Sequence, residues 1–462
     1  IDAIKYVLHT QSYEYIRPNY EDFHLTSGAE ENQRSRNFNI ECVFHDFQDY
    51  EAKSFLEWLS FDDNGKYYLK MWLKATRKDS KVYYEIRAGA DDDGSQISGE
   101  ARDYLRCAYL KPLRDAESEL TPKRGSRLSQ ILDSHDQFSD KENHRLKRII
   151  NLANKAIEKY FTHYDGKDLL EDVNKYLKSF SLEENQLNST FQISNNTLKS
   201  ILEKLSLKLF NHEISENNIQ GLGSNNLLYI AAELLLLKKL EYSGLKLALI
   251  EEIEAHLHPQ TQIRLIESIQ SIGEENNIQF ILTSHSPNLA SKVKLENLIV
   301  CKDGCTYPMG KKYTKLLDGD YYFLERFLDS TKANMFFANG VILVEGDAEN
   351  ILVPALSKLI SRDLSKYGVS IVNVGSTAFL RYANIFLRAD KTAFNIPVSL
   401  ITDVDVKPIE CKPKIEDKEM TGDEIEAKRN KTIIEKEAKY SEPIVSFIAP
   451  YWTLEYSIAL SC

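Results

Sequence analysis

The sequence predicts a multidomain α/β protein, and three observations lead to this fold class. The chain has 462 residues, a length that corresponds to about three domains. From residue 216 onward, apolar strand-like runs alternate with helical runs, which is the rhythm of parallel sheets with crossover helices. Before this part lies a stretch, residues 127–215, that has helical periodicity and no proline, so we expect a helical insertion there.

The composition is that of an ordinary globular protein, with 42% hydrophobic and 27% charged residues. No apolar stretch approaches the roughly 18 residues of a membrane span, and six cysteines in so long a chain favour a reducing, cytoplasmic location. Cys301 and Cys305 lack a second pair that would complete a zinc site, so we expect a turn there. The net charge of −11 argues against a protein that binds DNA through its overall charge. Bound divalent cations could still supply positive charge locally where nucleic acid binds.

Periodicity predicts the elements of the first half in order. The opening IDAIKYVL is typical of an amphipathic helix, and FNIECVFHDF, YYLKMWLKATR and KVYYEIRAG are typical of strands. The runs LSQILDSHDQF, NHRLKRIINLANKAIEKYFTHY and KDLLEDVNKYLKSF predict the helices of the insertion. A helical module in this position is either an oligomerisation element or a plain helical lobe.

Two glutamates follow a predicted buried strand in LALIEEIEAHLHP, residues 247–259. A nucleotide hydrolase needs one acid at such a strand end to hold Mg²⁺ and a second to orient the attacking water. Glu251 and Glu252 suit these two roles. His256 and His258 are only two residues apart beside Pro259, which favours a loop over a zinc site.

Two further segments complete the pattern of a nucleotide site. In FILTSHSP, His285 follows the next apolar strand, where a histidine can contact a γ-phosphate. In QGLGSNNLLYIAAELLLL, Gly221, Gly223 and Ser224 lie at the start of a long helix, and the free N–H groups of a helix N-terminus favour a phosphate.

Four more acids follow apolar strands in the last part of the chain. Glu345 and Glu349 belong to VILVEGDAEN, and Asp403 and Asp405 belong to PVSLITDVDVKP. Parallel strands bring their C-terminal ends to one edge of a sheet, so we expect these acids to lie close together. Such carboxylates repel one another unless a divalent cation is bound, and two-metal cleavage of phosphodiesters uses such a cluster. The alternative is a generic α/β domain with acids at its strand ends.

The order GLGSNN, LALIEEIEAHLHP, ILTSHS resembles the signature motif, the Walker B motif with its D-loop, and the switch histidine of ABC-type ATPases. It is most similar to the branch that contains the OLD (overcoming lysogenization defect) nucleases, with RecF- and SMC-type proteins as cousins. The resemblance implies that ATP with Mg²⁺ is a cofactor, that Glu251 is the Walker B acid, that Glu252 is the catalytic glutamate and that His285 is the switch histidine. It also implies that Ser224 contacts ATP held by a facing ATPase domain, hence a dimer. Ile253 stands where the family often has proline.

The P-loop pattern G-x-x-x-x-G-K-[ST] does not occur in the 462 residues. In the family this loop lies a few residues before a helix similar to IDAIKYVL. We therefore expect the P-loop upstream of Ile1, in a longer protein.

The pattern of apolar strand, Glu-Gly, a later glycine and Asp-x-Asp resembles the Toprim fold of topoisomerases, primases and OLD nucleases. The resemblance implies that Glu345, Glu349, Asp403 and Asp405 hold Mg²⁺ or Mn²⁺, and that Glu345 and the two aspartates are catalytic. Lys407 stands where topoisomerases and primases commonly carry a third acid, and Glu349 is typical of the nuclease branch.

The segment YWTLEYSIAL, near the end, resembles a family segment whose glutamate joins the metal site. By that resemblance Glu455 would be a metal ligand. A packed aromatic helix explains the same residues equally well.

The resemblance thus implies an ABC-type ATPase with a helical dimerisation insertion, followed by a Toprim domain with a Rossmann-like fold. The domains would be an N-terminal ATPase part (1–126), the insertion (127–215), a C-terminal ATPase part (216–330) and a Toprim nuclease domain (335–462). The implied activity is ATP-regulated, metal-dependent cleavage of DNA in antiphage defence. The implied partners are DNA, further copies of the chain, and a helicase or a reverse transcriptase with its RNA–DNA product; no membrane is implied.

Two other functions stay open. The first is a RecF- or SMC-like ATP-driven DNA clamp with an inactive Toprim domain, against which the four retained acids argue. The second is a topoisomerase-like enzyme, which would need a tyrosine nucleophile among the 25 tyrosines of the chain.

Overall fold

The computed structural model describes residues 1–11, 16–90, 94–111, 121–180, 188–193, 197–207, 209, 221–239, 245–375, 379–390, 392, 394–415, 418–440 and 442–461. The chain forms two compact units. We call residues 1–257 with 271–283 the N-terminal unit, and residues 258–270 with 284–462 the C-terminal unit.

The strands of the described residues are β1 (Asn37–Phe44), β2 (Leu59–Phe61), β3 (Tyr67–Lys78), β4 (Lys81–Ala88), β5 (Ala108–Leu110), β6 (Leu247–Ile250), β7 (Gln279–Leu282), β8 (Ile299–Lys302), β9 (Cys305–Pro308), β10 (Gly340–Val344), β11 (Val369–Asn373), β12 (Val398–Asp403), β13 (Lys414–Ile415), β14 (Lys418–Glu419) and β15 (Ile444–Ala449).

The α-helices are α1 (Asp2–Leu8), α2 (Asp49–Ala52), α3 (Gly99–Asp103), α4 (Arg127–Ser134), α5 (Arg145–His163), α6 (Lys167–Phe180), α7 (Leu198–Leu202), α8 (Leu222–Lys239), α9 (Pro259–Asn276), α10 (Pro287–Ala290), α11 (Asp318–Phe327), α12 (Ser330–Ala333), α13 (Asp347–Leu359), α14 (Phe379–Asn384), α15 (Gly422–Glu437) and α16 (Leu454–Ser461). Among the residues that the structure describes, no helix combines the length and the apolar character needed to cross a membrane.

The N-terminal unit contains two sheets. In the antiparallel sheet, β3 pairs with β1, β2 and β4, which confirms the three strands predicted for this region. The apolar side chains Leu69, Met71 and Leu73 of β3 are fully buried and share a core with Val7 and Leu8 of α1. The amphipathic pattern of IDAIKYVL therefore covers one face of this sheet, as expected for a helix of period 3.6.

The second sheet of the N-terminal unit is parallel, in the order β5-β6-β7. All four residues of β6, Leu247 to Ile250, are buried, because β6 lies between two strands and both of its faces are covered. An uninterrupted apolar run is the sequence pattern of such a strand. Its C-terminal end delivers Glu251 and Glu252 to the edge of the sheet.

Helices α5 and α6 confirm the predicted helical character of the insertion, as far as the structure describes it. No residue of α5 is buried, and in α6 only Leu170 is. Large apolar side chains nevertheless point to solvent, among them Leu152, which is 66% exposed, and Phe180, which is 81% exposed. A role in dimerisation stays a prediction.

The C-terminal unit contains a parallel sheet of order β11-β10-β12-β15. Its core includes Val341, Leu343 and Leu400 from the sheet, but also Leu295 and Tyr307 from the segment before residue 330. The predicted domain boundaries near 330 and 335 therefore do not coincide with the division into compact units. The reason is a shared apolar core, which the order of the motifs does not reveal.

The hairpin β8–β9 contains the two neighbouring cysteines. Asp303 and Gly304 connect the strands with φ angles of +51° and +74°, which is the left-handed geometry of a tight hairpin turn. Cys301 pairs with Thr306 and Cys305 pairs with Lys302, and both cysteines are free and exposed. The predicted turn is confirmed.

Candidate functional site

The first candidate site lies at the C-terminal edge of the parallel sheet of the N-terminal unit. The N–H group of Glu251 donates to the carbonyl oxygen of Leu110 (3.1 Å), directly after β5 and β6 cease to pair. The N–H group of Glu252 donates to the hydroxyl of Thr283 (3.1 Å), which follows β7. Glu252 has a φ angle of +43°, a left-handed conformation that is uncommon for a residue with a side chain. Residues held in such conformations cluster at functional sites, where the surrounding structure stabilises them.

The glycine-rich segment leads into α8, as predicted. Gly221 precedes this helix, and Gly223 and Ser224 lie in its first turn. A β-carbon on Gly223 would lie 2.5 Å from the main-chain oxygen of His256, so only glycine allows this approach. Asn226 supports the same contact by donating from Nδ2 to the carbonyl oxygen of Ala255 (2.9 Å). The N-terminus of α8 is thereby packed against the segment that follows Glu252, while the side chain of Ser224 is exposed.

Ile253 departs from the proline that the resemblance leads one to expect, and its surroundings explain the difference. Its side chain is fully buried, and its N–H group donates to the carbonyl oxygen of Thr283 (3.4 Å). Proline has no N–H group and could not make this bond. Isoleucine therefore contributes both packing and a hydrogen bond here.

His285 follows β7 by three residues and belongs to the C-terminal unit. Its side chain is exposed. Its role as a switch histidine stays a prediction.

A buried ion pair, which sequence reasoning missed, fastens α8 to α4. Arg127 donates from Nη2 to Oε2 of Glu233 (2.6 Å), and the Glu233 side chain is only 2% exposed. Arg127 also donates to the side-chain oxygen of Gln130 (2.9 Å). The available signal was a single glutamate inside the apolar run LLYIAAELLLL, because such an acid needs a partner when it is buried.

The second candidate site lies at the C-terminal edge of the sheet in the C-terminal unit. Strands β10 and β12 are parallel neighbours, with Val344 opposite Ile401, so Glu345 emerges beside Thr402, the residue before Asp403. Oε2 of Glu345 accepts from the hydroxyl of Thr402 (3.1 Å) and from the N–H group of Asp403 (3.5 Å). The structure thus brings these two predicted residues together.

Glu349 lies in the first turn of α13 and is only 5% exposed. Its Oε2 accepts from the N–H group of Gly346 (3.1 Å) at the start of the helix. An acid in the first turn is favoured by the helix dipole, yet a buried carboxylate still needs a strong partner to offset its lost hydration.

Asp405 is held by contacts from outside its strand. Its φ angle is +60°, its N–H group donates to the carbonyl oxygen of Trp452 (3.0 Å), and its Oδ2 accepts from Lys436 (2.8 Å). The intervening Val404 and the following Val406 are buried against α15 and its surroundings. The Asp405 side chain itself is 59% exposed.

The charges of these acids interact. Burial, and then the negative charges of Glu345, Glu349 and Asp405, together raise the pKa of Asp403 to about 6. A hydrogen bond from the N–H group of Leu454, at the start of α16, acts in the opposite direction. The other three acids therefore all contribute negative potential at Asp403.

The donor atoms suit a hard divalent cation, because carboxylate oxygens are the ligands that Mg²⁺ and Mn²⁺ prefer. The negative potential that raises the pKa of Asp403 is the electrostatic condition for binding such an ion. Within the described ranges, no three His, Cys, Asp or Glu side chains already stand at metal-binding spacing. The residues thus fit a cation by chemistry, and the ligand role of each stays a prediction.

Helix α16 brings the last predicted ligand near this site. Glu455 lies in its first turn with an exposed side chain, one residue after the Leu454 N–H group that bonds to Asp403. The rings of Trp452 and Tyr456 also contact each other, with centroids 5.8 Å apart. Both explanations of YWTLEYSIAL therefore stay compatible with the structure, and ligation by Glu455 stays a prediction.

Comparison with known proteins gives two family matches. Residues 107–290 match the AAA ATPase domain, and residues 336–405 match the Toprim domain of overcoming lysogenization defect protein-like proteins. The first match contains Glu251, Glu252 and His285, and the second contains Glu345, Glu349 and Asp403.

Three curated relatives share parts of the chain. Endonuclease GajA of Bacillus cereus is 27% identical over 263 residues, which cover 49% of this chain and 37% of the relative. The OLD nuclease of Thermus scotoductus is 24% identical over 190 residues, covering 40% of this chain and 35% of the relative. The retron Ec83 probable ATPase of Escherichia coli is 38% identical over 61 residues, covering 13% of this chain and 11% of the relative. The matched part of the chain thus spans little more than a third of these relatives' length at most.

The ATPase match, the Toprim match and the order in which they occur agree with the resemblance seen in the motifs. The mixed α/β fold of the structure agrees with it as well. The chain therefore contains an ATPase domain that is followed by an OLD-like Toprim domain.

Proposed function

We propose that this protein is an ATP-regulated, metal-dependent nuclease that cleaves DNA phosphodiesters in antiphage defence. The observation that carries the proposal is that Glu345 and Asp403 meet at the ends of neighbouring parallel strands, with Glu349 close enough to raise the pKa of Asp403. The names of two relatives, an endonuclease and an OLD nuclease, support this class of activity. The retron-associated relative supports a defence role with a further component.

In the proposed nuclease site, Glu345, Glu349, Asp403 and Asp405 hold the divalent cations, and Glu455 is a further ligand. Bound cations supply an activated nucleophile and stabilise the leaving oxygen of the phosphodiester. The chain itself orients the ligands. The Thr402 hydroxyl fixes one oxygen of Glu345, and the Leu454 N–H group fixes Asp403.

In the proposed ATPase site, Glu251 holds the Mg²⁺ of ATP and Glu252 orients the attacking water. The start of α8 faces the nucleotide of a second copy through Gly221, just before the helix, and through Gly223 and Ser224 in its first turn. His285 contacts the γ-phosphate. The close approach of Gly223 to His256 holds the start of α8 against the segment that follows Glu252.

The proposal is tested with the full-length protein and supercoiled plasmid, in Mg²⁺ or Mn²⁺, with and without ATP. We expect nicked or linear product with either cation and none with EDTA. An uncut plasmid that is retained on the protein only with ATP would instead identify the clamp function. A covalent tyrosine–DNA adduct would identify a topoisomerase.

Cation binding at this site is expected to weaken at acidic pH. A carboxyl group must lose its proton to bind a metal, and the raised pKa of Asp403 places that step near pH 6. Below pH 6, the affinity for Mn²⁺ should fall about ten-fold per pH unit. Calorimetric titration between pH 5 and 7.5 measures this, with tryptophan fluorescence as the check that the protein stays folded. An affinity that stays constant down to about pH 4.5 would contradict the assignment of Asp403.

We infer that α5 forms the surface between two copies of the chain. Ile149, Leu152, Ala156 and Tyr160 follow one another at spacings of three, four and four residues, and all are exposed. This spacing produces an apolar stripe along one side of a helix, which is the pattern of a helix that packs against a second helix. The adjacent, half-buried side of α5 already packs within the insertion.

Leu152→Glu is therefore expected to raise the dissociation constant of the homodimer about 30-fold or more, because a charge replaces a central apolar contact. Light scattering of the full-length protein over a concentration series measures the change. Lys155→Glu, which adds negative charge on the more polar side of the same helix, is the matched control and should leave the mass unchanged. A dimer that survives Leu152→Glu intact would place the interface elsewhere.

A further inference from the structure

Lys436 bridges the two aspartates of the candidate nuclease site. It lies in the last turn of α15, in a Lys/Glu-rich segment. Its ammonium group lies 2.8 Å from Oδ2 of Asp405 and also donates to the main-chain oxygen of Asp403. Its side chain is only 21% exposed, unlike most of the helix around it.

The helix that carries Lys436 is packed against the segment that carries the aspartates. Ile425 of α15 forms one apolar cluster with Val404, Val406 and Met420, and Ile433 and Ile448 pack against this cluster. The valines alternate in sequence with the aspartates, so the same short segment supplies both the apolar contact and the acids. This packing holds α15 beside the aspartates, so that the Lys436 side chain reaches Asp405. A lysine in the last turn of a helix is also favoured by the helix dipole.

The four acids differ in the partners that hold them. Glu345 accepts from a hydroxyl and an N–H group, and Glu349 accepts from the N–H group of Gly346, so the donors to both are neutral. Asp405 alone among the four forms an ion pair in the described part of the chain, and its partner is Lys436.

We propose that Lys436 competes with a divalent cation for the carboxylate of Asp405 and so sets the metal concentration that the site requires. The inference rests on the proposed nuclease function. A cation bound by a carboxylate lies about 2.1 Å from its oxygen, which brings it within a few ångströms of the ammonium group. Two positive ions at that separation repel each other, so binding either displaces Lys436 or is weakened by it. A cation held by Asp405 would then be bound more weakly than one held by Glu345 and Asp403.

A purely structural role for Lys436 predicts the opposite sign. If the ion pair only positioned Asp405, its removal would leave cation binding unchanged or weaker. Competition predicts tighter binding, and an unfolded or distorted variant cannot produce such a gain.

The test is calorimetric titration of the full-length protein with Mn²⁺. For Lys436→Met we expect binding about five-fold tighter than wild type, with a matching decrease in the Mn²⁺ concentration for half-maximal plasmid cleavage. Lys436→Arg retains the charge and should resemble wild type. Lys431→Met is the matched control on the same helix: Lys431 is 77% exposed and pairs only loosely with Glu435, at 3.8 Å, so its loss should change the affinity less than two-fold.

Unchanged or weaker Mn²⁺ binding in Lys436→Met would overturn the competition. Asp403→Asn separates this result from failure of the site itself. If wild type binds Mn²⁺ and Asp403→Asn does not, the metal site exists and only the role of Lys436 is wrong. If Asp403→Asn binds Mn²⁺ as wild type does, both the proposed metal site and the competition are wrong.

Discussion

Asp403→Asn is expected to lower the rate of plasmid cleavage by the full-length protein about 1,000-fold. Asparagine keeps the shape of the side chain and an oxygen for the Leu454 N–H group, but it removes the charge that holds a cation. Loss of a cation that activates the nucleophile removes several kcal/mol of transition-state stabilisation, and each 1.36 kcal/mol is about ten-fold in rate. Initial rates of nicking at saturating Mn²⁺ measure the effect.

The same variant should be more stable than wild type in EDTA, which distinguishes lost chemistry from lost folding. An acid whose pKa is raised in the folded state favours folding only when it is protonated. Ionised Asp403 therefore lowers the free energy of unfolding at pH values above about 6. This destabilisation disappears as the pH falls from 6 toward 3.8, the ordinary pKa of an aspartate. Removing the charge should raise the free energy of unfolding at pH 7.5 by about 1 kcal/mol, since solvent screens part of the repulsion.

Asp423→Asn is the matched control for both measurements. Asp423 is an exposed acid in the first turn of α15, and its loss should leave cleavage unchanged and cost at most about 0.5 kcal/mol of stability. Full cleavage activity in Asp403→Asn would exclude the Toprim edge as the nuclease site.

The strands that lead to both candidate sites were predictable from the sequence, because each is an apolar run that ends directly before an acid. Leu247–Ile250 and Gly340–Val344 are buried central strands, and a buried parallel strand requires such a run. Once the strands are placed, their C-terminal ends meet at one edge, so the proximity of Glu345 and Asp403 follows from sequence alone.

Contacts that join distant segments were not predictable. Lys436 meets Asp405 across 31 positions of the chain, and Arg127 meets Glu233 across 106. A lysine in a Lys/Glu-rich helix has no sequence feature that distinguishes it from its solvated neighbours, because only the packing of α15 selects which side chain faces the aspartates. The same holds for the Leu454 N–H group, since a main-chain donor leaves no trace in the sequence.

A second large effect, on ATP hydrolysis, is expected at the proposed ATPase site. Glu252→Gln should lower ATP hydrolysis by the full-length protein about 100- to 1,000-fold while ATP binding is retained, because glutamine cannot orient and activate the attacking water as the carboxylate does. The fold should tolerate the change. Glutamate and glutamine are equally strained at the φ angle of +43°. The hydrogen bond to the Thr283 hydroxyl comes from the main-chain N–H group of residue 252, so it does not depend on the side chain. Phosphate release and nucleotide binding, measured on the same preparation, separate the two steps.

Glu57→Gln, an exposed glutamate of the same unit, is the matched control and should hydrolyse ATP at the wild-type rate. Hydrolysis that persists in Glu252→Gln would mean that another group orients the water.

The Glu252→Gln variant also decides whether ATP regulates cleavage, because a protein that binds ATP without hydrolysing it stays in the ATP-bound state. A ligand shifts a conformational equilibrium only by its difference in affinity for the two states. A cleavage rate of Glu252→Gln that changes on adding ATP therefore reveals the sign of the coupling, whereas equal rates with and without ATP would show that the two domains act independently.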